Sequence, residues 1–110
     1  NALKNVPGIR TLKENKNIRR NYSYYPTFID EKVYGKSRDA LYEELKTHNI
    51  FGRRYFYPLI STFSAYKGLE SANPTHLPVA HKLADQVLCL PMFADLDGEG
   101  VERVISVVAK

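Results

Sequence analysis

One cysteine, Cys89, and one methionine, Met92, are the only sulfur side chains in this sequence. A lone thiol excludes an internal disulfide framework and any multi-cysteine metal cage. No apolar run approaches the roughly 18 residues that a membrane-spanning helix needs, and no charged start with an apolar h-region suggests a secretory signal. Gly-x-Gly-x-x-Gly, a Walker-type Gly-Lys-Ser/Thr loop and a Gly-x-Ser-x-Gly elbow are all absent. The expectation is a soluble, cytoplasmic domain. Because Met92 is the only methionine, the chain starts at Asn1 without an initiator. Asn1 to Arg20 is polar and irregular in hydrophobic period, with a Pro7-Gly8 turn signal, and reads like the middle of a protein. The chain is therefore expected to be one excised domain, 1–110, of a longer open reading frame, with 1–20 as a loop-like opening segment.

What is present suits a globular fold. Hydrophobic residues make up 44% and charged residues 25%, near the average for soluble domains. A chain of 110 residues can bury roughly two-thirds of its unfolded surface, so a core forms without metal or disulfide staples. The net charge of +4 is unevenly spread: residues 1–57 carry twelve basic and six acidic groups, residues 58–110 four and six. Such asymmetry points toward an anionic partner without choosing among nucleic acid, a phosphorylated ligand and a protein surface.

Periodicity predicts an alternation of strands and helices. Asn21 to Ile29, aromatic and β-branched, reads as a strand with Pro26 at an edge or bulge. Ser37 is an N-cap for a helix from about Arg38 to His48, with Leu41 and Leu45 on one face and Asn49 as its left-handed stop. Arg53 to Tyr57 reads as a second strand, closed by Pro58. Residues 61–78 form a long connection with a short helix near Thr62 to Tyr66, long enough to pack on something or shape a site. Leu77, Ala80, Leu83, Ala84, Val87 and Leu88 follow helical spacing and predict a helix from about Pro78, and Leu88-Cys89-Leu90 then reads as a short buried strand. Asp97 caps a last helix with a stripe of Val101, Val104, Ile105 and Val108. The residues thus predict an α/β two-layer domain.

Few residues carry chemistry. His48, His76 and His81 lack the spacing of a zinc site and read as surface or capping histidines, so no metal is predicted. Cys89, between Leu88 and Leu90, reads as a buried small hydrophobe. Asp95, Asp97 and Glu99 lack the glutamate that an EF-hand loop requires and instead suit a helix N-terminus. The run Gly52-Arg53-Arg54-Tyr55-Phe56-Tyr57-Pro58 stands out. Alternation along a strand places Arg53, Tyr55 and Tyr57 on one face and Arg54 and Phe56 on the other. Guanidinium and phenol together grip phosphate and stack on a base or sugar. Three readings stay open: nucleic acid, a nucleotide-bearing small molecule, or an ordinary strand with an arginine pair.

Taken in order, Pro7-Gly8-Ile9, Asn21 to Ile29, Ser37-Arg38-Asp39-Ala40-Leu41, Asn49 to Leu59, Ala65-Tyr66, Pro78-Val79-Ala80 and Leu90 to Leu96 carry a family resemblance. The chain resembles the C-terminal domain of the DegT/DnrJ/StrS sugar aminotransferases, which are enzymes dependent on pyridoxal phosphate (PLP). The resemblance covers nearly the whole chain. It implies the small C-terminal domain of the aspartate aminotransferase fold, an α+β arrangement of a short, mostly antiparallel sheet packed with about three helices. It also implies a parent that moves an amino group, usually from glutamate, to a keto sugar on a nucleotide diphosphate, in polysaccharide or antibiotic sugar biosynthesis. In that family a large N-terminal domain supplies the Schiff-base lysine and most PLP contacts, and the enzymes are homodimers with active sites near the subunit interface. The family often has a His-Tyr pair just before Pro-Leu. Here Arg54 stands where the histidine is expected, Tyr55 matches the tyrosine, and Ile60 replaces a second histidine. Arg54, Tyr55 and Tyr57 are the substrate-binding candidates the resemblance implies. None of the nine lysines lies in a serine-rich setting like the family's. The fragment alone is therefore expected to hold no cofactor and no catalytic residue. The rival expectation is a free-standing basic-aromatic module binding nucleic acid or a phosphorylated partner.

Overall fold

The computed structural model describes residues 2–110. Three strands, β1 (Ile9–Thr11), β2 (Tyr25–Ile29) and β3 (Val87–Leu90), form one sheet in the order β1-β2-β3, with both pairings antiparallel. Ile9 pairs with Ile29, and Thr27 lies between Thr11 and Leu88. Because directly paired residues share a face, Ile9, Thr27, Ile29, Leu88 and Leu90 line one side of the sheet. All five are buried.

That side meets two helices, α2 (Arg38–Thr47) and α4 (Gly98–Val108), which supply Leu41, Leu45, Val104, Val107 and Val108 to the same core. Thr27 is fully buried, and its Oγ1 donates to the Leu88 carbonyl at 2.7 Å, so the hydroxyl sits in the core without an unmet bond. Helix α3 (Pro78–Gln86) runs directly into β3 and packs on β2. A short helix α1 (Glu31–Tyr34), capped by Asp30 and closed by Gly35, follows β2. Its Tyr34 hydroxyl donates to the Val108 carbonyl at 2.9 Å and ties this turn to the end of α4.

Local signals account for the helix ends. Ser37 Oγ accepts from the Ala40 N–H at 3.1 Å, and Asp97 Oδ1 from the Gly100 N–H at 2.8 Å. At the end of α2, Asn49 is left-handed (φ 57°), the Ile50 N–H reaches the Leu45 carbonyl and the Asn49 N–H reaches the Lys46 carbonyl. This is the Schellman pattern, and the apolar contact that accompanies it is made by Ile50 and Leu45, both in the core.

Several expectations need correction. The opening segment 1–20 is not wholly loop: Ala2–Asn5 is a 3-10 turn and Ile9–Thr11 is a strand. The strand placed at Asn21 to Ile29 begins only at Tyr25. Pro26 lies in the central strand rather than at an edge. Cys89, its partner, exchanges both backbone bonds with Arg53 on its far side. Pro26 therefore sits at a position where no bond to β3 is due, and β1 has already ended at Thr11 on the other side. The second strand, Arg53 to Tyr57, does not form. Only Arg53 bridges Cys89, after which the chain turns, with the Tyr57 N–H donating to the Arg54 carbonyl at 2.8 Å. The connection at 61–78 holds 3-10 turns at Ile60–Thr62, Glu70–Ala72 and Pro74–His76 rather than a short helix at Thr62 to Tyr66. On α4, Val107 is buried while Val101 is exposed, so the apolar stripe is rotated from the one expected.

Candidate functional site

The turn after Arg53 splits the expected site in two. On one side, Arg54 faces α2. Its Nη1 lies 2.9 Å from Asp39 Oδ1, and its guanidinium sits 4.6 Å from the Tyr42 ring centre and 5.1 Å from that of Tyr57. The hydrogen bond to Asp39 raises the already high pKa of Arg54, which keeps the charge fixed. Arg38 joins the same group from below. Its side chain is only 2% exposed, its Nη1 donates to the carbonyls of Ala84 (2.9 Å) and Val87 (3.0 Å), and its Nε lies 2.8 Å from Asp39 Oδ1. The Arg38 guanidinium is also 4.6 Å from the Tyr57 ring centre. One carboxylate oxygen thus accepts a hydrogen bond from Arg54 and lies in ionic contact with Arg38, whose buried Nε has no hydrogen-bond partner, and both arginines lie against one tyrosine.

On the other side, Arg53 and Tyr55 line the wall of an open cavity of about 610 Å³, with Tyr24, Phe93 and Arg103 among the other lining residues. Tyr24 meets Tyr55 edge-on at 5.2 Å, and Phe56 lies 5.3 Å from Tyr55. Arg103 donates to the His48 carbonyl, whereas Arg53 is exposed and makes no ion pair among the described residues. The strand alternation expected for residues 53–57 is therefore wrong in its consequence. Arg53 and Tyr55 do share the cavity, but Tyr57 does not join them; it stacks beside Arg54 instead. The free guanidinium at the cavity belongs to Arg53. The sequence reading also leaves out Tyr24 and Arg103, since the first sits in an irregular stretch and the second on α4, far from the arginine pair in sequence.

The remaining candidates stay ordinary. No group of three or more His, Cys, Asp or Glu side chains able to hold a metal occurs among the described residues. His48 and His76 are exposed, and His76 leans on Glu70, but His81 is half-buried with its Nε2 shielded and without a hydrogen-bond partner among the described residues, so it is not the surface histidine expected. Cys89 is buried, and burial pushes its thiol above the ordinary value of 9.0. A thiol reagent is expected to label the native chain much more slowly than the urea-unfolded chain at pH 8. Equal rates would show Cys89 to be an open, reactive thiol. The sign of the pH effect follows from the raised pKa. The unfolded thiol ionises first, so Cys89 leaves stability unchanged below about pH 9 and lowers it above that.

The fold and the site together define a small α+β domain with guanidinium groups and aromatic rings on the wall of an open cavity. The chain belongs to the DegT/DnrJ/EryC1/StrS aminotransferase family, whose sequence profile matches residues 1–109. It is 49% identical to the dTDP-4-amino-4,6-dideoxy-D-glucose transaminase of Escherichia coli over 94% of this chain and 28% of that enzyme. It is 39% identical to the Shigella dysenteriae protein of the same name, over 96% of this chain and 28% of that one. Among solved structures, DesI in the presence of its TDP-sugar product superposes with a TM-score of 0.87 at 29% identity, over 98% of this chain and 27% of DesI. The aminotransferase TlmJ from Streptoalloteichus hindustanus superposes at 0.80 with 28% identity, over 98% of this chain and 27% of TlmJ. The chain spans little more than a quarter of the length of these relatives and matches their C-terminal part. Its fold is that of the small C-terminal domain of the aspartate aminotransferase type, as the resemblance implied.

Proposed function

We propose that this chain is the C-terminal domain of a PLP-dependent aminotransferase that moves an amino group from an amino acid, glutamate being the expected donor, to a nucleotide-linked keto sugar. The observation that carries the reading is 49% identity, over 94% of the chain, to a transaminase whose name specifies a dTDP-linked amino sugar. In this reading Arg53 and Tyr55 face the sugar nucleotide. Arg53 supplies a charge-assisted hydrogen bond to an anionic diphosphate, and Tyr24 and Tyr55 offer ring faces to a base or sugar. Arg54 and Tyr57 shape the pocket from behind, Arg54 being committed to Asp39 rather than free for phosphate.

Pyridoxal phosphate would supply the electron sink for amino transfer in the parent. It needs a lysine amine of lowered pKa, and the lysines here do not fit. No described lysine is buried, and the two with shifted pKa values, Lys36 beside Glu44 and Lys46 beside Glu43, are shifted upward by those carboxylates. The cofactor's seat is assigned to the large domain of the parent polypeptide. The same reading includes a cytoplasmic homodimer, and exposed rings such as Phe51, Phe56 and Phe93 suit a surface covered in the assembled enzyme. The nucleic-acid module is not favoured: the family match covers residues 1–109, and one cation of the arginine pair is neutralised internally.

The test is to supply the parent enzyme with pyridoxal phosphate, glutamate and a dTDP-linked keto sugar. A dTDP-linked amino sugar and 2-oxoglutarate are the expected products, and transfer only to keto acids would overturn the reading. In the same assay Arg53→Ala should raise the KM for the nucleotide sugar about tenfold or more, as loss of a charged hydrogen bond implies, and leave that for glutamate unchanged. A loss confined to the glutamate half-reaction would remove Arg53 from the site.

A further inference from the structure

We propose that Asp39 is a positioning residue for the nucleotide-sugar site, an inference that rests on the functional reading above. Asp39 does not line the 610 Å³ cavity, and neither does Arg54. Its effect passes along a chain of contacts. Arg38 is the anchor, almost wholly buried and held by the carbonyls of Ala84 and Val87 whether or not Asp39 is present. Asp39 Oδ1 lies 2.8 Å from the Arg38 Nε and accepts from Arg54 at 2.9 Å. Arg54, with a third of its side chain exposed, is the part able to move.

Two cations beside one tyrosine ring repel each other unless an anion lies between them. Without the Asp39 carboxylate, Arg38 cannot leave and Arg54 swings toward water. The immediate neighbours of Arg54 in the chain are Arg53 and Tyr55, which do line the cavity. The turn itself hangs on the bond from the Tyr57 N–H to the Arg54 carbonyl. A carboxylate on α2 thereby decides where the arginine and tyrosine on the substrate side point. The residue standing where the family's histidine is expected works here as a tether to the helix.

Asp39 is half exposed and its amide is isosteric, so Asp39→Asn removes charge without opening a core. In the parent enzyme this change should raise the KM for the dTDP-keto sugar about fivefold, with kcat within about twofold and the glutamate KM unchanged. Asp39→Glu should restore most of the loss. Arg54→Met should behave like Asp39→Asn, and the double variant should be no worse than the poorer single one, since both break the same tether. Amide hydrogen exchange supplies a readout independent of activity: the Tyr57 N–H should exchange about tenfold faster in Asp39→Asn while amides of α3 and β3 keep their protection. An unchanged sugar KM in an active parent, multiplying effects in the double variant, or unchanged exchange at Tyr57 would each overturn the proposal. A wild-type parent inactive on every nucleotide sugar would sink the functional reading, and the exchange measurement would still show whether Asp39 holds the turn.

Discussion

Replacing Arg38 with alanine should destabilise the chain by about 3–4 kcal/mol, a large share of the stability of a domain this size. Two charge-assisted bonds are lost, to the carbonyls of Ala84 and Val87, and a buried volume is left behind. Those carbonyls lie at the end of α3, whose last turn contains no basic residue of its own. Arg38 reaches across from α2 to satisfy that end and to place a positive charge where the helix dipole favours one. Arg38→Lys should recover no more than about half of the loss, because an ammonium cannot face both carbonyls and Asp39 with the geometry of a planar fork. Urea denaturation gives the comparison. A cost below about 1 kcal/mol for the alanine variant would mean that water replaces the guanidinium in a site more open than it looks.

Gly8→Ala should be as damaging, about 3–5 kcal/mol, while the same change at Gly35 should cost only about 1–2 kcal/mol. Both glycines are left-handed, with φ of 77° and 89°. Their surroundings differ. A methyl group at Gly8 would lie 2.3 Å from the Tyr34 nitrogen and 2.6 Å from its Cβ, whereas nothing lies within 4 Å at Gly35. Backbone cannot step aside as a flexible side chain can, so the Gly8 variant must push β1 away from α1. That would also strain the bond from the Asp30 N–H to the Gly8 carbonyl, 2.8 Å long. Thermal melts of the two variants side by side separate the steric cost from the conformational one, and equal losses would show that the contact with Tyr34 relaxes cheaply.

The fold was legible where a single residue type carries a local rule. Ser37, Asn49, Pro78 and Asp97 marked helix ends because capping and φ restriction depend on the residue itself and its near neighbours. Asn49 to Leu59 and the other ordered segments likewise carry the family likeness in residue types alone. Reading failed where long-range pairing decides. Ile9–Thr11 is only three residues long and becomes a strand because Ile29, Phe28 and Thr27 lie beside it. Arg53 to Tyr57 has the aromatic content of a strand, but Gly52 and Arg53 meet β3 at one point only, after which Arg54 is drawn to α2. The site followed the same pattern. The arginine-aromatic run is visible as a string of residue types, and of its three substrate-binding candidates, Arg54, Tyr55 and Tyr57, Tyr55 alone lines the cavity. Nothing in the string distinguishes an arginine already paired with Asp39, fifteen residues earlier, from one free to meet a ligand. That distinction depends on which face of α2 Asp39 occupies.

The Schellman ending of α2 makes that helix a ruler. Asp39 sits at its start and Ile50 is locked beneath Leu45 at its end, so the angle between them is set by the number of residues in between. One inserted residue would turn Asp39 by about 100° around the axis, away from Arg54, while Arg53 stayed fastened to Cys89. A change of one residue in α2 would therefore detach the substrate-side turn from its helix and, because Arg38 turns together with Asp39, would also pull the buried guanidinium away from the Ala84 and Val87 carbonyls.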